Sequence, residues 1–137
     1  MPSRQVRSTP EKGCDLGKDL PVAIQKELDK GGGMEGLFAR IPDSPALRSG
    51  SRLHHALADP IRLSILSALL AQPLCVCVIK VVVNISDSKL SYHLNILKEQ
   101  DLITGEQQGN WIIYSLTDRG RRALKCTERV GSGKGRS

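Results

Sequence analysis

The 137 residues include 20 Lys and Arg against 14 Asp and Glu, four Cys, 39% apolar residues and 3% aromatic ones. That length suits one compact domain with appendages, and no apolar run is long enough to span a membrane. Residues 1–5 lack the apolar core of a secretion signal, so a cytoplasmic, reducing location is expected, where four cysteines point to free thiols or metal ligands before disulfides.

The formal charge of +6 admits a nucleic-acid partner, and its distribution is uneven. Residues 117–137 carry seven basic side chains against Asp118 and Glu128, whereas residues 51–116 are balanced. Composition separates three regions. Residues 1–45 form an irregular N-terminal extension, punctuated by Pro2, Pro10, Pro21, Pro42, Pro45 and Gly31-Gly32-Gly33. At most one short helix is expected there, opening near Pro21 with Ile24 and Leu28 on one face. Residues 46–129 hold nearly all the aliphatic side chains and form the domain. Residues 130–137 read as a basic, disordered tail.

Within the domain, Leu47, Leu53, Leu57 and Ala58 recur at helical spacing up to Asp59-Pro60, where Asp59 suits an N-cap and Pro60 a first helical position. The helix that follows, Ile61 to Leu70, is apolar almost all round and is expected at the centre of the core. Gln72-Pro73 ends it. Residues 74–83, Leu-Cys-Val-Cys-Val-Ile-Lys-Val-Val-Val, favour a strand on intrinsic preference, although length and continuous apolarity do not separate a buried strand from a buried helix.

Ser86 suits the cap of a helix in which Leu90, His93, Leu94 and Leu97 fall on one face. Its other face shows Ser88, Lys89, Ser91, Tyr92, Asn95 and Lys98. Leu102-Ile103-Thr104, a polar turn over 105–110 and Trp111 to Leu116 read as an antiparallel hairpin. Thr117 then caps a last helix with Ala123, Leu124, Thr127 and Val130 on one side. No Gly-rich phosphate loop, nucleophile elbow or paired carboxylates occur, so an enzyme is not expected.

Leu57-Ala58-Asp59-Pro60-Ile61-Arg62-Leu63-Ser64-Ile65-Leu66 resembles the opening of the ArsR/SmtB family of prokaryotic metal-responsive repressors. Leu90-Ser91-Tyr92-His93-Leu94 matches that family's Val/Leu-Ser-x-His-Leu core, and Trp111 to Leu116 is similar to its second wing strand. The resemblance spans residues 47–128. It implies a mainly α fold with a small β-hairpin, a dimeric winged helix-turn-helix joined through its first and last helices. It also implies that residues 75–82 form the first helix of the helix-turn-helix, with the turn at Val83-Asn84-Ile85.

The implied partner is a double-stranded, palindromic operator, with no membrane involved. A recognition helix presents the N-terminal half of its exposed face to base edges. Here that face is Ser86, Asp87, Ser88, Lys89, Ser91 and Tyr92, with Gln108 and Asn110 at the wing tip. By itself such a face is no more than the solvated side of a surface helix. Many family members have Gln near position 87 and a basic residue in the wing, so this chain is expected to lean on the basic segment after residue 118 or to bind DNA modestly. His93 is expected to pack beneath the recognition helix. His54 and His55 are adjacent, cannot face one ion from a single helical turn, and are expected with the Ala123/Leu124/Thr127/Val130 stripe at the dimer interface.

Leu74-Cys75-Val76-Cys77 is similar to the box that opens the third helix of members sensing arsenite, cadmium or lead. Thiolates select soft ions. Positions i and i+2 of an α-helix point about 200° apart, so closing a site there is expected to unwind the helix start. The resemblance names Cys14 as the third sulfur, brought by its N-terminal segment to the partner's Cys75 and Cys77; Cys126 sits on the apolar stripe of the last helix. Pro73 and Val78 flank the box where Glu and Asp are usual. The family's zinc site is not expected, because Gly120 stands where its His would follow Asp118.

The expected function is a repressor that releases DNA when As(III), or next Cd(II) or Pb(II), binds these thiolates, with no cofactor required. Two alternatives stay open: a thiol-redox-responsive regulator, and a regulator without metal input whose cysteines are structural.

Overall fold

The computed structural model describes residues 20–132, and the chain divides into two units, 1–51 and 52–137. In the first unit the extension holds two helices, not one: α1 (Val22–Lys30) and α2 (Gly33–Arg40). The break between them sits at Gly32, whose φ of 97° is left-handed and open to glycine at no steric cost. No residue of either helix is buried. What holds them is local: Gln25 Nε2 donates to Asp29 Oδ1 (2.9 Å), and Arg40 Nη2 donates to the Gly31 carbonyl (3.2 Å). Helix α3 (Ser44–Leu57) crosses the unit boundary, and its start is capped by Asp43, whose Oδ1 accepts from the Ala46 N–H.

In the second unit, α4 (Pro60–Ala71) begins as its sequence dictates. Asp59 accepts from the N–H groups of Ile61 (2.8 Å) and Arg62 (3.2 Å), and Pro60 occupies the first turn. The helix is central, with Ile65 and Leu66 fully enclosed. It is not uniformly apolar in its setting, however: Leu70 is exposed, and Arg62 is buried.

The ambiguous segment divides. Leu74–Cys75 is a two-residue strand, β1, and Val76–Val83 is a helix, α5. The helix wins because Val76, Ile79 and Val83, at helical spacing, meet the core, with Ile79 fully enclosed, while Val78, Val81 and Val82 face outward. Asn84, with φ 51° and ψ 57°, ends α5 in the left-handed conformation and makes the expected turn. Helix α6 (Asp87–Glu99) follows, burying Leu90, His93, Leu94 and Leu97 as its periodicity predicts.

Strands β2 (Ile103–Gln108) and β3 (Trp111–Leu116) form the hairpin. Gln108 pairs with Trp111, which leaves a two-residue loop, so most of the polar turn expected over 105–110 is strand. The sheet order is β1-β3-β2, antiparallel throughout. Thr117 caps the last helix, α7 (Asp118–Ser132), accepting from the Gly120 N–H (2.9 Å) and donating to the Asp101 carbonyl (2.7 Å). That helix continues through residues 130–132, assigned above to the tail; residues 133–137 and Cys14 lie outside the described residues. No helix among the described residues is long and apolar enough to cross a membrane.

Candidate nucleic-acid interface and thiol pair

The helix-turn-helix is α5, the Asn84 turn and α6, and the hairpin is its wing. Ser86 caps α6, its Oγ accepting from the Lys89 N–H (3.3 Å). Its hydroxyl therefore serves the helix start as well as any phosphate. Asp87, Ser88, Lys89, Ser91 and Tyr92 are all exposed on the face opposite the buried stripe, as are Gln108 and Asn110 in the wing. Asp87 has a partner that sequence reading missed: Lys80 Nζ lies 2.6 Å from its Oδ1, joining α5 to the first turn of α6. The charge that would repel phosphate is thereby paired.

His93 sits under α6, 7% exposed, and its Nδ1 accepts from Arg62 Nη1 at 2.9 Å. A guanidinium only donates, so the ring proton lies on Nε2. Arg62 Nε donates to the Ala56 carbonyl (2.7 Å) and Nη2 to the His55 carbonyl (2.9 Å). Burial acts to raise the pKa of the neighbouring Asp59. The N–H groups of Arg62 and Ile61 and the Arg62 charge outweigh it and hold the carboxyl below the usual aspartate value. Arg62 was legible only as the single charge inside an apolar helix, a signal that does not name its acceptors.

Cys75 is the last residue of β1 and the N-cap of α5, with extended backbone (φ −80°, ψ 162°); Cys77 lies in the first turn. Their Sγ atoms are 2.7 Å apart. The expected need to unwind the helix is thus overturned: Cys75 already stands outside it, so the two sulfurs meet with α5 intact. Cys77 is exposed and Cys75 half-buried, and both are free thiols. The hydrogen bond from Cys77, followed by the Val78 N–H, holds the Cys75 thiol below its ordinary value, and the same contact pushes Cys77 up. The backbone of Cys75 pairs with Ile113 of β3, so the thiol pair is joined to the wing on one side and to the helix-turn-helix on the other.

Among the described residues no cluster of three or more His, Cys, Asp or Glu could hold a metal ion. Cys75 and Cys77 supply two soft donors. Cys126 is exposed on α7 and lines a groove of about 670 Å³ with Leu53, His54, Leu57, Ala123, Thr127 and Val130. Leu124, expected on that face, is buried in the core instead. Gly120 admits no side chain at all: a Cβ there would overlap the Leu102 carbonyl oxygen and the Leu116 methyl. That is a steric reason for the missing histidine.

A family profile described as bacterial regulatory protein, arsR family, matches residues 59–104. The arsenical resistance operon repressor of Bacillus subtilis is 42% identical over 86 residues, covering 62% of this chain and 82% of that protein. A homolog of the transcriptional repressor SmtB from Synechocystis is 44% identical over 63 residues, covering 46% of this chain and 48% of its own length. Among solved structures, the homodimeric winged helix-turn-helix DNA-binding domain of a possible ArsR-family regulator from Mycobacterium bovis superposes with a TM-score of 0.60. It is 25% identical and covers 69% of this chain and 90% of that one.

Proposed function

We propose that this chain, which belongs to the bacterial arsR family of regulatory proteins, is a homodimeric repressor whose grip on its operator is governed by Cys75 and Cys77. The family is one of DNA-binding transcriptional regulators, not enzymes. The signal is a thiophilic metal(loid), arsenite before Cd(II) or Pb(II), acting in the cytoplasm, with Cys14 as the third sulfur.

The observation that carries this reading is the 2.7 Å approach of two free thiols, one exposed and one half-buried, at the junction of β1 and α5. An ion bridging them pulls on a residue whose backbone is bonded to the wing strand and on the first turn of the helix that aims α6. Ligand and operator are then coupled through two short, rigid elements. Operator binding by the reduced protein, with and without arsenite, tests this beside a Cys75→Ser/Cys77→Ser variant. Arsenite should release the wild type only. Equal release of both proteins removes the sensor assignment, and no release of either leaves a regulator without this input.

Dimerisation falls on the apolar groove between the end of α3 and α7. Two recognition helices would then lie about one DNA turn apart on a palindrome. Sedimentation of a Leu57→Asp variant as a monomer is the expected result.

The same short contact favours one further reading, in which an oxidant closes a Cys75–Cys77 disulfide. Thiol counting after peroxide, set beside arsenite titration under reductant, separates the two.

A further inference from the structure

The cap and first turn of α6 expose Ser86, Asp87, Ser88 and Lys89, and these side chains are not equally free. Ser86 Oγ accepts from the Lys89 N–H at 3.3 Å and lies 3.4 Å from Ser88 Oγ, so both hydroxyls are engaged at the helix start. Lys89 only donates, and an ammonium on a flexible stem finds phosphate as readily as a base. Asp87 differs. Its side chain is 84% exposed, Lys80 Nζ of α5 holds Oδ1 at 2.6 Å, and Oδ2 has no protein partner among the described residues.

An exposed ion pair adds little to stability. This one fixes direction and charge instead. With Oδ1 tethered to the preceding helix the carboxylate loses its swing, and the ammonium beside it offsets the repulsion an anion meets on approaching DNA. One acceptor, Oδ2, is left for an outside donor. The major groove offers such an acceptor few choices: the donors there are the 4-amino group of cytosine and the 6-amino group of adenine. The adenine amino group sits between two acceptors, its own N7 and O4 of the paired thymine, and both repel an incoming carboxylate. The cytosine amino group has an acceptor on one side only, O6 of the paired guanine. A lone carboxylate oxygen is therefore best met by cytosine.

We propose that Asp87, held by Lys80, determines specificity by accepting from the 4-amino group of a cytosine, so that each operator half-site carries one C·G pair read by this carboxylate. Asp87 touches the base, and Lys80 is a positioning residue that acts through it. This rests on operator binding through α6 and is independent of the thiol pair.

The test selects duplexes from a randomised pool with the full, reduced chain, beside Asp87→Ala, Asp87→Asn, Lys80→Ala and Lys80→Arg. The wild type should enrich an inverted repeat with one C·G pair per half-site that Asp87→Ala no longer selects. Asp87→Asn should select A·T there, since an amide donates to N7 and accepts from the amino group of adenine, while its affinity for unselected DNA rises at low salt. Lys80→Ala should blunt the cytosine preference and Lys80→Arg restore it; an undiminished preference in Lys80→Ala overturns the positioning role. On the selected site, N4-methylcytosine keeps its Watson–Crick pairing but loses the N–H that faces the groove. It should weaken the wild type about tenfold and leave Asp87→Ala unmoved. Equal wild-type affinity for the methylated duplex, a measurement that needs no variant, overturns the assignment while operator binding stands. So do identical base preferences with and without Asp87. Failure to enrich any sequence sinks operator binding as well.

Discussion

Arg62 and His93 are 31 positions apart in the chain, yet Nη1 of the first donates to Nδ1 of the second at 2.9 Å in the interior. One guanidinium thereby ties the end of α3, the start of α4 and the underside of the recognition helix. Arg62→Ala should cost about 3 kcal/mol in urea unfolding, because a buried carbonyl, a part-buried one and an imidazole lose their donor together. In a ¹⁵N spectrum Nδ1 of His93 should show the signature of an unprotonated acceptor.

Acid should act on the same corner. The folded-state value of Asp59 lies below its unfolded one, so its contribution is complete above the ordinary aspartate value of 3.8 and is lost as pH falls through the folded value. Urea midpoints should fall across that acid range in the wild type, and fall less in Asp59→Asn, which keeps a capping oxygen but cannot titrate. Asp59→Ala should cost about 1 kcal/mol at neutral pH.

The thiols should differ in reactivity. Cys75 is held low and Cys77 high, so at neutral pH a small alkylating agent should label Cys75 first. Cys77→Ala removes the donor and should slow labelling of Cys75. Cys75→Ala should speed labelling of Cys77. Peptide mass mapping at short times reads both.

On DNA, Lys89→Ala should weaken binding to all sequences and lower the salt slope by about one. Asp87→Asn should have the opposite sign, strengthening binding at low salt by releasing the Lys80 ammonium from its pair and adding one net positive charge to this face. Its stability cost should be small, about 0–1 kcal/mol, since the Lys80 pair is exposed. Filter binding over a range of salt concentrations distinguishes the two.

Gly120→Ala should destabilise by about 1–3 kcal/mol even though alanine is the better helix former, because the added methyl meets the Leu102 carbonyl. Thermal unfolding checks this, and a variant as stable as the wild type would mean that α7 can shift away from Leu102 and the end of β3.

The sequence alone determined where the helix-turn-helix and its wing lie, because the signals are local. Asp59-Pro60 and Ser86 carry their capping chemistry in one or two side chains, and Leu90, His93, Leu94 and Leu97 state their burial by spacing. For Leu74–Val83 the family resemblance implied a helix over 75–82, and only the tertiary structure decided where strand gives way to helix. The segment's intrinsic preference favours strand throughout, but pairing with Tyr114 and Ile113 holds just two residues extended, and the core claims Ile79 for a helix. That division puts Cys75 outside the helix and Cys77 inside it, which brings the sulfurs together where helical periodicity alone sets them apart. The buried Arg62 was hidden for the same reason: its partners are distant in the chain, and no local pattern records a distance that folding has yet to close.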